Sequence, residues 1–301
     1  MRYGIIGTGA IGGYYGAKLA KAGEEVYFLF HRDYDVVCKN GLQVNSCDGD
    51  FHLFPVHACQ HAEDMPQCDV VLVALKSVNE ALLKTLLPPL LKPTTLVVLI
   101  QNGIGVEADV QRMFPDTCLA AGLAFICAAK TKPGIVDHQA EGSINIGNYS
   151  CKDQTVMDNM ISEMKAAGIK VAEVEYHEAR WRKAVWNMSF NGMTVALDTN
   201  TDALLSNPDT MRLIHDLMLE VIDGARACGV NIGHEYADKS ITYTQAMPPY
   251  LPSMKLDYDF HRPMEIYYLY TRPIEEARKA GYEMSKLSML EAELKFKERN
   301  R

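Results

Sequence analysis

The run Gly7-Thr8-Gly9-Ala10-Ile11-Gly12 constrains this chain more than any other six residues. It follows an apolar, strand-like segment, Arg2–Ile6, and opens a helix-like one, Ala10–Ala22, which Gly23 stops. A G-x-G-x-x-G pattern alone means little. Set between a strand and a helix, it reads as the phosphate-binding turn of a Rossmann unit. Gly7 permits the tight turn, Gly9 lets the backbone approach a pyrophosphate, and Gly12 lets helix and strand pack closely. The helix N-terminus then turns free N–H groups and a partial positive charge toward the phosphates. Gly7, Thr8, Gly9, Ala10, Ile11 and Gly12 are therefore the expected cofactor-binding turn. The alternative is a glycine-rich turn that holds nothing.

The segments that follow alternate in the same way. Strands are expected at Glu25–Phe30, Val70–Leu75, Thr95–Ile100, Leu119–Phe125, Ser143–Ile146 and Lys170–Val174. Val70–Leu75 is a short continuous apolar run, as a strand covered on both faces should be. Helices are expected at Leu82–Leu91, broken at Pro88-Pro89, and at Asp153–Ala167, stopped by Gly168. Alternation of this kind gives an α/β domain with a mostly parallel sheet. After Tyr176 helical periods take over, at His177–Leu197, Asp209–Cys228, His234–Gln245, Met264–Ala280 and Ser285–Lys297. The reading is a Rossmann-type domain over residues 1–175 and an all-helical domain over 176–301, as a chain of 301 residues allows.

The tip of the second strand bears on which dinucleotide fits. Sites for NAD often carry an acid there to hold the ribose 2′-hydroxyl, whereas NADP sites tend to supply an arginine. Here the strand ends Leu29-Phe30-His31-Arg32, and Asp33 comes only after the arginine. NADPH is the expected cofactor, with His31 and Arg32 as candidates for its 2′-phosphate.

Composition excludes several other classes. Thirty-eight acids against 30 bases, with no long basic stripe, argue against a nucleic-acid partner. No apolar run approaches the roughly 18–20 residues that span a bilayer, so no membrane role is expected. The eight cysteines include no Cys-x-x-Cys pair, and Met1-Arg2-Tyr3 runs directly into the first strand. Reduced thiols and a cytoplasmic setting are the expectation. The cluster His52, His57, Cys59 and His61 matches no standard zinc spacing, so no metal is expected.

The helical half holds the most informative pattern. Lys183, Asn187 and Asn191 are spaced i, i+4, i+8 and form one stripe on His177–Leu197. Trp186, Phe190, Met193 and Leu197 flank it on one side, and Val185, Met188 and Val195 fill the other. A helix apolar nearly all round is buried, and polar groups within it need partners. A ligand cleft would supply them, and so would a satisfied structural network.

With this stripe the sequence resembles the ketopantoate reductase family along its whole length. The resemblance runs through Gly7-Thr8-Gly9-Ala10-Ile11-Gly12-Gly13, Val73-Ala74-Leu75-Lys76 and Asn102-Gly103-Ile104-Gly105. It continues through Arg182-Lys183-Ala184-Val185-Trp186-Asn187, Pro252-Ser253-Met254 and Met264-Glu265-Ile266, in the family's order. It implies NADPH-dependent reduction of 2-dehydropantoate to pantoate, on the route to pantothenate and coenzyme A, with substrate bound between two domains. By the same resemblance Lys183 is the general acid and Glu265 orients the catalytic groups. Asn102 reaches cofactor and substrate, and Lys76 holds the cofactor or helps bind the substrate carboxylate. Asn187, Asn191 and Ser253 hydrogen-bond the substrate. The partner is a small 2-keto acid, and a homodimer is compatible with the reading. Tyr250, Tyr267 and Tyr270 stand where the family's pattern differs, and at least some of them are expected to face the substrate. The alternatives are a reductase of another, bulkier 2-keto acid on the same fold, and a non-catalytic NADP-binding regulator, against which Lys183 and Glu265 argue.

Overall fold

The computed structural model describes residues 1–77 and 80–300. They form two compact units, 1–101 with 106–176 and 102–105 with 177–301, and Arg301 of the expected second domain lies outside the described residues.

The first unit is a sheet with helices. Its strands are β1 (Arg2–Ile6), β2 (Glu25–Leu29), β3 (Leu42–Ser46), β4 (Phe51–Leu53), β5 (His57–Cys59), β6 (Val70–Val73), β7 (Leu96–Leu99), β8 (Cys118–Lys132), β9 (Ile135–Asn148) and β10 (Val171–Val174). Its helices are α1 (Ala10–Lys21), α2 (Tyr34–Asn40), α3 (Leu83–Leu86), α4 (Val106–Met113) and α5 (Thr155–Ala166). The sheet order is β4-β3-β9-β8-β7-β6-β1-β2-β5, and β10 also pairs β9. From β5 through β2, β1, β6 and β7 to β8 all pairs are parallel. That is the strand order of a dinucleotide-binding domain. β6 and β7 are buried at every residue, which is why they read as unbroken apolar runs.

The far side of the sheet departs from expectation. The short strands expected at Leu119–Phe125 and Ser143–Ile146 are parts of a 15-residue β8 and a 14-residue β9, paired antiparallel. Their outer halves carry Lys130, Lys132, Asp137 and Glu141 and lack a strict apolar pattern, so periodicity hid their length. Three register shifts, after Phe125, Cys127 and Lys130, blur the period-2 signal further. The helix expected over Leu82–Leu91 is only α3, followed by a single 3₁₀ turn, Pro88–Leu90, because the prolines cannot continue the α-helical bonds. The expectation of reduced thiols is corrected at one pair. Cys118 and Cys151 form a disulfide, with Cα atoms 4.6 Å apart. β8 starts and β9 ends side by side, so the hairpin joins two cysteines 33 positions apart.

The second unit is helical: α6 (Tyr176–Ala196), α7 (Thr201–Ser206), α8 (Pro208–Ala227), α9 (Glu235–Gln245), α10 (Ser253–Asp259), α11 (Arg272–Lys279) and α12 (Ser285–Arg299). α6 runs through the core, burying Trp181, Val185, Met188 and Phe190 completely. Local chemistry sets the other helix starts. Asn207 accepts from the N–H groups of Asp209 and Thr210, with Pro208 as the first residue of α8. Buried Glu220 accepts from the N–H groups of Lys286 and Leu287 and so caps α12 from a distance.

The single helix expected over Met264–Ala280 is also corrected. Met264 and Glu265 precede the helix, Tyr267–Thr271 is a π-helical turn, and α11 follows. Pro273 has no N–H to give the Leu269 carbonyl, and its ring would press against that carbonyl in an α-helix. A wider turn before the proline avoids the conflict, and such turns are frequent at functional sites.

Candidate active site

The cofactor candidates in the first unit meet at the ends of β1 and β2. Gly7 adopts φ +91°, and a Cβ there would lie 2.5 Å from the Leu75 nitrogen. A Cβ on Gly12 would lie 2.5 Å from the Gly7 oxygen, so the helix can approach the strand only with glycine there. At Gly9 the same atom would enter open space, as a backbone waiting for a ligand should. α1 begins at Ala10 with no acid in its first turn and no side-chain cap at Gly9. That end suits an anion. Thr8 turns its hydroxyl away, donating to the Leu29 carbonyl at 2.8 Å, which ties the glycine turn to the tip of β2. His31 and Arg32 follow that tip and are exposed. Lys76 lies three residues beyond β6 and is exposed.

The second unit carries the other candidates. A small pocket is lined by Gly103, Arg180, Lys183, Ala184, Asn187, Tyr268 and Leu269. α6 supplies four of these residues. The 102–105 segment supplies Gly103, which adopts φ +110° and where a Cβ would lie 2.5 Å from the Tyr268 carbonyl oxygen. Ile104 N–H donates to that same carbonyl at 3.0 Å, holding the segment against the π-helical turn.

Lys183 is the lining residue whose protonation the surroundings alter most. Loss of water lowers its pKa most, the neighbouring Arg180 guanidinium lowers it further, and the Glu265 carboxylate opposes both. The result is about 7, far below an ordinary lysine. Glu265 is buried just before the π-helical turn. Arg180 is only 3% exposed. It was not among the residues singled out from sequence, although it extends the Lys183, Asn187, Asn191 stripe by one turn toward the N-terminus.

The remaining candidates divide. Asn187 lines the pocket with Lys183. Asn191, two turns from Lys183, is buried, and its Oδ1 accepts from the Met254 N–H at 3.1 Å. It serves as a cap for α10, beside half-buried Ser253, which opens that helix. Asn102 is half-buried and adjoins Gly103. Neither Asn191, Ser253 nor Asn102 is among the pocket-lining residues.

The three tyrosines lie in different settings. Tyr270 is fully buried, and its hydroxyl donates to the Met188 carbonyl at 2.7 Å, so it is part of the core. Tyr267 is 46% exposed and stacks edge-on against Tyr268. Tyr250 is tied by its backbone to Thr201, with its ring 6.4 Å from that of Trp186. The aromatic residue that lines the Lys183 pocket is Tyr268. The π-helical turn rotates its neighbours out of the positions that a regular helix would give them.

One grouping of potential metal ligands occurs among the described residues: Cys47, Asp48 and His138, with ligand atoms within 4.8 Å. His138 is already engaged at both nitrogens, by the Ser46 hydroxyl at 2.8 Å and the Glu141 carbonyl at 3.1 Å.

Comparison with known proteins agrees across both units. A family profile described as ketopantoate reductase PanE/ApbA matches residues 3–150, and its C-terminal counterpart matches residues 175–298. A 2-dehydropantoate 2-reductase from Nostoc sp. is 41% identical over 98% of this chain and 94% of its own length. The crystal structure of 2-dehydropantoate 2-reductase from Geobacter metallireducens superposes with a TM-score of 0.95 at 34% identity, covering 98% of this chain and 99% of that one. The corresponding protein from Methylococcus capsulatus gives 0.91 at 33% identity, over 100% of this chain and 97% of that one.

Proposed function

The chain belongs to the ketopantoate reductase PanE/ApbA family, and from that premise we propose that it reduces 2-dehydropantoate to pantoate with NADPH. The observation that carries the reading is Lys183, an ammonium with a pKa of about 7 that lines a pocket with Asn187 and Arg180 and feels the charge of the Glu265 carboxylate. A general acid works best with a pKa near the working pH.

The glycine turn fits a dinucleotide: it has open space above Gly9 and no acid in the first turn of α1. Gly7 to Gly12 would hold the pyrophosphate, and Arg32 with His31 the 2′-phosphate. Lys76 and Asn102 follow the C-terminal ends of β6 and β7, the side of such a sheet where ligands gather. NADPH, when bound, supplies a hydride to the ketone carbon of the substrate. As that carbon gains the hydride, negative charge develops on the ketone oxygen. Lys183 donates its proton to that oxygen, leaving a neutral amine and a hydroxyl. Burial, then Arg180 and Glu265, set how readily Lys183 gives up that proton. Asn187 orients the substrate by hydrogen bonding, and Ser253 adds a second contact. Asn191 is a positioning residue that fixes the start of α10 and hence Ser253.

The test follows NADPH oxidation with ketopantoate and a panel of 2-keto acids. Turnover of ketopantoate with NADPH is expected, and its absence overturns the reading. A second reading, reduction of a bulkier and more apolar 2-keto acid, has Tyr268 and Leu269 in the pocket wall in its favour. It predicts higher kcat/KM for the apolar members of the panel. Among the described residues no helix is long and apolar enough to cross a membrane. A cytoplasmic homodimer is the setting we propose, and sedimentation of the purified chain tests its assembly.

A further inference from the structure

We propose that Lys130 is a cofactor-specificity residue, which holds Asp33 away from the ribose site and places a positive charge beside the glycine turn. The inference rests on the reading that this chain uses a 2′-phosphorylated dinucleotide.

Asp33 is the first acid after β2 and lies about 20 residues beyond the glycine motif, within the range where an acid of such a fold can grip a ribose 2′-hydroxyl. An available carboxylate there would favour the unphosphorylated cofactor and repel a 2′-phosphate. Here it is not available. The side chain is 10% exposed, ion-paired with Lys130, and accepts from the Gly134 N–H at 3.0 Å. Both partners come from the outer part of the β8–β9 hairpin, the part whose length the sequence did not reveal.

The same ammonium reaches further. Lys130 Nζ donates to the Thr8 carbonyl, the second residue of the glycine turn, at 2.9 Å. It lies 5.9 Å from the centre of the Phe30 ring, at the tip of β2. Thr8 in turn is bonded to Leu29. One lysine of the hairpin therefore links the glycine turn and the β2 tip, the two segments that hold the pyrophosphate and the ribose in this fold. Re-aiming Asp33 toward a ribose would break a largely buried ion pair and leave Lys130 without its counter-charge, which is costly.

The experiment measures dissociation constants of NADPH and NADH by equilibrium titration, with kcat/KM for both, in four proteins: wild type, Lys130→Met, Asp33→Asn and the double variant. Wild type should prefer NADPH. Lys130→Met should lower the NADPH:NADH affinity ratio by about tenfold, within reach of one charge in a partly buried site. Adding Asp33→Asn to it should recover most of the ratio, because the carboxylate it released is then gone. Asp33→Asn alone should raise the ratio, an opposite sign that does not depend on Lys130→Met folding. If the lysine were only a strut, Lys130→Met would weaken both cofactors equally and leave the ratio unchanged, and that result overturns the proposal. A wild-type ratio near one overturns the NADPH reading itself, and the specificity role with it.

Discussion

Lys183 loses its proton near pH 7 because three effects meet at one nitrogen: loss of water, Arg180 and Glu265. The reduction needs the protonated form. kcat/KM should therefore be level below about 7 and fall as pH rises through that value. Arg180 disfavours the ammonium by like charge, so Arg180→Gln should raise the lysine pKa and move the falling limb to higher pH. A limb that stays in place would show that Arg180 does not act on Lys183. Lys183→Ala should lower kcat by about 10²–10⁴ with NADPH affinity near normal, measured by steady-state kinetics and cofactor titration. Lys183 and Asn187 were legible from sequence because helical spacing put polar residues inside an apolar helix. Arg180 was not singled out, although it continues that stripe, because arginine is so often a solvated residue. Tyr268 carried no signal of its own, because the run Tyr267-Tyr268-Leu269-Tyr270 does not announce the π-helical turn it forms.

At the scale of elements, Asn191 and Tyr270 distinguish packing from chemistry. Asn191→Leu would leave the buried Met254 N–H at the start of α10 without its acceptor. An unsatisfied buried donor costs about 1–3 kcal/mol, so chemical denaturation should show a loss of that size. KM for the keto acid should rise as Ser253 loses its anchor, while NADPH affinity holds. Tyr270→Phe removes a buried hydroxyl bonded to Met188 and should cost about 0.5–1.5 kcal/mol. Because that ring is core rather than pocket, kcat/KM across the keto-acid panel should be unchanged. A shift in substrate preference in Tyr270→Phe would return that tyrosine to the substrate side. The parallel strands and long amphipathic helices were readable because burial imposes periods of 2 and 3.6. The outer hairpin and short α7 and α10 were not, since few residues and mixed polarity give periodicity nothing to act on.

For the whole molecule, the change of pattern near Tyr176 suggests a simple division into two consecutive pieces, but the second unit also claims residues 102–105. The sequence marks Asn102-Gly103-Ile104-Gly105 as a block of the family's pattern, but four residues after a strand carry no periodicity to show that they pack with the helices. Their contribution is specific. Ile104 is 6% exposed within the helical core, its N–H bonds to the Tyr268 carbonyl, and Gly103 lines the Lys183 pocket. A fragment spanning 177–301 alone would lack all three. Burial of one such aliphatic side chain is worth about 1.5–3 kcal/mol, a large share of the stability of a small domain. The fragment should therefore be markedly less stable than the same unit in the full chain, as read by thermal unfolding and hydrogen exchange at α6. Ile104→Ala makes the test within the intact protein. Cutting a buried isoleucine to alanine costs about 2–5 kcal/mol. The loss should appear in the helical unit and disturb the Lys183 pH limb, while NADPH binding at the glycine turn persists. If Ile104→Ala is as stable as wild type and keeps its pH limb, the 102–105 segment is an ordinary loop and the pocket is built by the helices alone.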